Sequence, residues 1–295
     1  MRTMDLVADF LAAQRGRRAV NTIAAYRSDL HRFARTVSGS VEEITADDLE
    51  TYLAAIPDVT KTTLARHQAS LRALFAWAYR LERLATNPMV RLEGIRGEEH
   101  LPRPLDAPDI ARILAAIPAT KLRDRLLFTL LRDTGIRVSE ALSARWEDVS
   151  LDDGDEQVRV LGKGGRERTV LLHAAPDTVR LLQRYKKGTT RSGYLFQGDA
   201  QRGGGGAPLD YSSVRYAWSR YCAHASVTAT IHQLRHAFVT ELVRGGMRLT
   251  TVQRLAGHRR LETTRAYAEV SDDEVKRELS DFRRRHRRSL RATAT

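Results

Sequence analysis

Along the N-terminal part of the chain, apolar residues recur at the three- and four-residue intervals of helices that bury one side. Leu6, Phe10 and Ala13 mark a first amphipathic helix, and Ile23, Tyr26, Leu30, Phe33 and Val37 a second, with Asn21 positioned as its cap. Thr45-Ala-Asp-Asp-Leu opens a third, which must end before Pro57 because the residue ahead of a proline is pushed out of helical geometry. A fourth starts near Lys61 and carries Leu64, Leu71, Leu74, Phe75 and Ala78. Asn87-Pro88 closes this region, and Gly94 to Pro104, with two glycines, two prolines and many charges, has a linker's composition. The expected division is a helical domain over residues 1–96, a linker over 97–104 and a second domain over 105–295.

Beyond the linker the period changes. Asp106-Ala-Pro-Asp starts a helix through Ile113 and Leu114, and the run from Leu126 to Leu131 is apolar enough for a central buried helix. That helix stops at Thr134-Gly135-Ile136-Arg137, where Gly135 supplies the turn and Val138, Ala141 and Leu142 point inward from the next helix. Arg137 then stands at a helix N-terminus, whose local positive end adds to its attraction for a phosphate. From Asp148 alternation replaces helical spacing. Val149 and Leu151, then Val158, Val160 and Leu161, then Thr169 to Leu172 read as three strands. The turn signals between them are Asp152-Asp-Gly154-Asp and Gly162-Lys163-Gly164-Gly165. Helices are expected again at 177–186 and from Tyr211 to Ala223, with a glycine-rich loop from Arg202 to Pro208 to which no function is assigned. The fold class is mainly α with one small antiparallel β-sheet, and Lys163 sits at a hairpin tip.

Charge narrows the partner. The 295 residues leave room for two cores, and 49 Lys+Arg against 36 Asp+Glu give a net charge of +13. Such a balance favours an anionic polymer over a membrane surface. Arg27, Arg32, Lys61, Arg66, His67 and Arg72 fall on the polar faces of the first helices, and Arg215 and Arg220 on a later one. Singly each is a solvated charge; together they form a surface suited to the phosphates of nucleic acid. No run of eighteen apolar residues occurs, and the opening Met-Arg-Thr-Met-Asp lacks the apolar core of a secretory signal, so the cytosol or the nucleoid is the expected location. The one cysteine, Cys222, excludes an intrachain disulfide and is expected to be a small buried residue.

The stretch from Thr230 to Val270 carries the chemistry. His232 and Arg235 are three apart and share a helix face, while Leu234, Phe238 and Leu242 recur as a buried stripe. Gly257 lies where a short helix from about Thr250 needs a left-handed C-terminal residue, leaving His258 just beyond, and Tyr267 follows nine residues later. A phenol, two imidazoles and a guanidinium suit attack on a phosphodiester, the oxygen adding to phosphorus and the cations neutralising the charge that builds there. His232 and His236 also have the spacing of a zinc-binding His-Glu-x-x-His helix, but Gln233 replaces its glutamate. Gly-Lys-Gly-Gly is a poor phosphate loop, because it joins strand to strand and no Ser or Thr follows the lysine.

His232-x-x-Arg235, Leu255-x-Gly257-His258 and Tyr267, with Thr134-Gly135-x-Arg137-x-x-Glu140 and the hairpin Lys163 upstream, resemble the ordered signature of the tyrosine recombinases, the phage-integrase and Xer-type family. The resemblance implies an N-terminal SAM-like helical DNA-binding domain and a C-terminal catalytic domain that close as a clamp round double-stranded DNA. It implies Tyr267 as nucleophile, Arg137 and Arg235 as phosphate ligands, His232 as base or phosphate ligand, His258 as a further ligand and Lys163 as general acid. Glu140 would hold Arg137 in place. It further implies a 3′-phosphotyrosyl intermediate, no metal or other cofactor, and a homotetramer, or a heterotetramer with a related recombinase, on a specific DNA site. A C-terminal helix at about Ser271 to Phe282 would dock on the neighbouring subunit, with the arginine run after it as a basic tail. Chromosome-dimer resolution and mobile-element integration both fit. A type IB topoisomerase and a non-cleaving DNA-binding protein are the competing classes.

Overall fold

The structure, a computed structural model, describes residues 1–37, 39–57, 59–95, 97, 104–162, 165–188, 193–198 and 206–257. The chain divides into two compact units, Met1–His100 and Leu101–Thr295.

The N-terminal unit is built from four helices, α1 (Thr3–Gln14), α2 (Val20–Thr36), α3 (Ala46–Ala54) and α4 (Lys61–Arg80). Their apolar faces meet around Phe10, Phe33, Phe75, Tyr52 and Trp77, with Phe33 edge-on to both Tyr52 and Phe75 at centroid separations of 5.1 and 6.0 Å. Burying three such phenylalanines contributes about 1.5–3 kcal/mol each. Thr45 and Asp48 form a reciprocal capping box that starts α3, and Thr60 accepts from the Thr63 N–H to start α4. Asn21 does not cap α2: Ala19 holds that position, with no side-chain cap, and Asn21 lies within the helix.

In the C-terminal unit α6 (Leu122–Thr134) is central, with Leu126, Leu127, Phe128, Leu130 and Leu131 all buried. Around it stand α5 (Ala107–Ala115), α7 (Val138–Ser143), α8 (Pro176–Lys187), α9 (Tyr211–His224) and α10 (His232–Arg244), and α11 (Leu249–Ala256) packs on α10. Phe128 meets Trp218 and Tyr221 of α9, and the Tyr221 hydroxyl donates to buried Asp124 at 2.7 Å. Cys222 is buried beside them, and burial pushes its thiol up to about 11.

The sheet is antiparallel in the order β1 (Val149–Ser150), β2 (Gln157–Leu161), β3 (Glu167–Leu171). Its register sets Val158 opposite Val170 and Val160 opposite Arg168. Side chains alternate between faces, so Arg168 shares a face with buried Val170. Among the described residues no helix is long and apolar enough to cross a membrane.

Candidate active site

Two left-handed glycines shape the site. Gly135 ends α6 at φ +59°, and its missing side chain admits the Phe238 ring: a Cβ there would lie 2.3 Å from Phe238 Cδ1. Gly257 ends α11 at φ +65°, where a Cβ would come within 2.9 Å of Arg168 Nε. Both positions combine a backbone conformation that L side chains avoid with a close approach by a neighbour.

Arg137 follows the first glycine. Its backbone N–H donates to Glu140 Oε2 at 3.0 Å and its Nη1 to Glu140 Oε1 at 2.9 Å, while its Nη2 reaches the Gly257 carbonyl at 2.9 Å. Arg137 opens α7, as expected, and its guanidinium is positioned by Glu140 together with the Gly257 carbonyl at the end of α11. Glu140 is buried, and its Oε2 also accepts from Arg168 Nη2 at 2.8 Å. Burial alone would raise its pKa, but hydrogen bonds and charge from Arg168, with the Arg137 contacts, outweigh that and hold the carboxyl below its usual range.

Arg235 is only 4% exposed, more deeply buried than Phe238 or Leu242 of the expected apolar stripe. Its guanidinium satisfies backbone acceptors at two helix ends, Nη1 donating to the Gly135 carbonyl at 2.5 Å and Nη2 to the Ala256 carbonyl at 2.6 Å. Arg137 and Arg235, from different elements of the chain, thus converge on successive carbonyls of one helix terminus. His232 keeps an exposed face on α10 and meets His236 edge-on, ring centroids 4.5 Å apart. Desolvation by the surrounding protein, then the charges of Arg235 and Arg137, lower its pKa. Burial and the charges beyond it take His236 down to about 4. A lowered imidazole pKa leaves the ring neutral and able to accept a proton at neutral pH.

The hairpin between β2 and β3 borders this cluster, since a Cβ on Gly162 would lie 3.5 Å from Glu140 Oε1. Lys163, His258 and Tyr267 fall outside the described residues, as do the segment 271–282 and the basic tail. Arg168 was missing from the expected set. Its signal lay in the alternation of β3, which puts a charged residue on the inner face two places before a buried valine.

Of the expected DNA-facing residues, Arg27, Arg32, Lys61, Arg66 and Arg72 are exposed in the N-terminal unit, and Arg215 and Arg220 are exposed on α9. His67 is not: it is 5% exposed, turned inward so that Nε2 lies 3.4 Å from buried Asp29. Arg72 also donates to the Leu92 carbonyl at 2.9 Å, and Arg66 Nη1 to both Asp29 oxygens at 2.7 and 2.8 Å.

The chain belongs to the phage integrase family: residues 103–274 match that family's model and residues 7–82 the phage integrase N-terminal SAM-like domain. It is 35% identical over 291 residues to the tyrosine recombinase XerC of Mycobacterium tuberculosis, covering 91% of this chain and 94% of the relative. It is 30% identical over 302 residues to the XerC of Listeria monocytogenes, covering 95% and 96%. Among solved structures, a lambda integrase fragment bound as a dimer to a core DNA site superposes with a TM-score of 0.73 at 18% identity, covering 91% of this chain and 96% of that one. XerH recombinase in a pre-cleavage complex with its difH substrate does so with 0.71 at 21% identity, covering 95% and 84%. These likenesses establish the fold as a SAM-like helical domain followed by a tyrosine-recombinase catalytic domain, and the chain as a tyrosine recombinase.

Proposed function

We propose that this protein is a site-specific recombinase that cleaves and rejoins double-stranded DNA through a 3′-phosphotyrosyl intermediate, working as a tetramer of itself or with a related recombinase. The observation that carries the reading is the convergence of Arg137 and Arg235 on the adjacent carbonyls of Gly257 and Ala256, beside a neutral imidazole. In this reading two cations and a base gather at the point where the chain runs on towards His258 and Tyr267.

In this mechanism Tyr267 Oη attacks the scissile phosphorus and gives its proton to neutral His232. Arg137 and Arg235, with His258, hold the non-bridging oxygens as charge builds on them. Arg137 spends one proton of each terminal nitrogen on Glu140 and Gly257, so the second proton of each stays available for phosphate. The bond from phosphorus to the 5′ oxygen breaks as Lys163 protonates the leaving oxygen. One phosphodiester is exchanged for another, so rejoining runs the same steps in reverse without ATP.

Residues 97–104 serve as the tether that lets the two domains, 1–96 and 105–295, take opposite sides of the duplex. Arg27, Arg32, Lys61, Arg66, Arg72, Arg215 and Arg220 contact its backbone, and the segment 271–282 docks on the next subunit. The protein works in the cytoplasm on the nucleoid. Resemblance to XerC along nearly the whole chain supports the simpler Xer-type role over integration of a mobile element.

A nicked suicide substrate recovered from random-sequence DNA by covalent trapping tests the proposal. The expected result is a protein–DNA adduct formed in EDTA and abolished by Tyr267→Phe. An adduct that needs Mg²⁺, or that survives Tyr267→Phe, overturns it, and relaxation of plasmid lacking any special site would indicate a topoisomerase instead.

A further inference from the structure

The last turn of α11 is held by three arginines from three different elements. Arg168 of β3 donates from Nη1 to the Leu255 carbonyl at 2.9 Å, Arg235 of α10 to Ala256 at 2.6 Å, and Arg137 to Gly257 at 2.9 Å. Three consecutive carbonyls that a helix end leaves unsatisfied are each capped by a guanidinium. Two of these arginines are the phosphate ligands of the proposed reaction. Arg168 differs. Its Nη2 binds Glu140, and its Nε is buried without a hydrogen-bond partner among the described residues, close against Gly257.

Glu140 divides its two oxygens accordingly: Oε1 takes the Arg137 side chain, and Oε2 takes both the Arg137 backbone N–H and Arg168. Like Arg137, Arg168 touches both Glu140 and the end of α11, but it does so from β3 and through the Leu255 carbonyl, so it braces Glu140 from a third element. A lysine there could keep the charge but has no rigid fork to span two acceptors facing different ways. The absent side chain at Gly257 is what leaves room for the guanidinium, since a Cβ there would come within 2.9 Å of its Nε.

We infer that Arg168 is a positioning residue for strand cleavage, fixing the separation between the Arg137 guanidinium and the chain leaving α11 by binding Glu140 and the Leu255 carbonyl at once. The inference rests on the recombinase reading. It accounts for a half-buried arginine on the core-facing side of a strand next to the hairpin that carries Lys163.

The test uses the full-length protein and a suicide substrate cut by the wild type. Arg168→Lys is expected to leave DNA affinity, measured in a Tyr267→Phe background, within about twofold, and to slow single-turnover cleavage about 10–100-fold, the range seen when a group orienting a reactive one is lost. Combined with Arg137→Lys, most of that slowing should vanish, because both changes disable one unit. Gly257→Ala, which pushes the guanidinium aside without removing it, should show the same split between affinity and rate. Cleavage by Arg168→Lys within about threefold of wild type, or losses that simply multiply with Arg137→Lys, would overturn the inference. Should Arg168→Lys fail to fold, Gly257→Ala decides alone: a normal rate there overturns the inference, and a slow rate at normal affinity supports it. A wild-type protein that forms no adduct sinks the recombinase reading itself, a result distinct from all of these.

Discussion

Asp29 and Glu140 are both buried carboxylates that grip an arginine, yet they do so with different reach. Asp29, on α2, takes Arg66 Nη1 on both oxygens, the Ser70 hydroxyl at 2.8 Å and the nearby His67 ring, all from consecutive turns of α4. The network closes between two helices, and its histidine, desolvated by burial, has a lowered pKa and stays neutral. Glu140 instead joins a loop arginine to a strand arginine, and both guanidiniums run on to the end of α11. The same chemistry makes a helix-to-helix clamp in one unit and a relay across three elements in the other. Losing the first should weaken a domain; losing the second should disorganise a reaction centre.

The largest effect is expected from Glu140→Gln. Two guanidiniums lose their buried counter-charge, costing about 3–5 kcal/mol in urea denaturation, and cleavage should fall far more than DNA affinity. Since the folded carboxyl titrates below the ordinary value of 4.5, the stability its ionised form contributes is complete above that pH and is lost as pH falls through the depressed value. Acid melting curves of the wild type should therefore steepen below the ordinary carboxyl range, and those of Glu140→Gln should flatten there.

Next in size is Gly135→Ala, where a Cβ meets Phe238 at 2.3 Å on a left-handed backbone. A cost of about 2–4 kcal/mol combines strain with overpacking, and thermal melts will read it. A smaller loss of about 1–3 kcal/mol is expected for Asp29→Asn, because Arg66 is 46% exposed and can rehydrate. Its effect should be seen in stability and DNA affinity more than in single-turnover rate, and a cleavage defect matching that of Glu140→Gln would erase the contrast between the two carboxylates.

The subtlest expectation concerns pH. His232 titrates below the ordinary imidazole value of 6.5, and the unprotonated ring is the active form in the proposed reaction, so kcat/KM should hold level down through that pH and decline only beneath it. A decline beginning well above 6.5 would remove His232 as the base.

Much of this arrangement was legible before any coordinates. Gly135 and Gly257 announced their helix ends because glycine is the cheap way to a left-handed terminus, and Thr45-Ala-Asp-Asp announced the start of α3. Apart from Asn21, which lies within α2 instead of capping it, the departures share one cause: a charged side chain can turn inward when a distant part of the chain supplies acceptors. Arg235 was expected on a polar face, yet carbonyls at Gly135 and Ala256 draw it into the interior. His67 was placed among exposed cations, yet Asp29, thirty-eight positions earlier, draws it in. Arg168 went unnoticed for the same reason, although alternation along β3 already set it beside Val170.

One quiet feature has a practical use. The lone thiol of Cys222, walled in beside Trp218 and scarcely ionised below about 11, will ignore maleimide reagents at neutral pH. A cysteine introduced at an exposed place such as Ser213 would thus be the sole reactive handle on otherwise unaltered protein. A fluorophore attached there could follow engagement with DNA one molecule at a time.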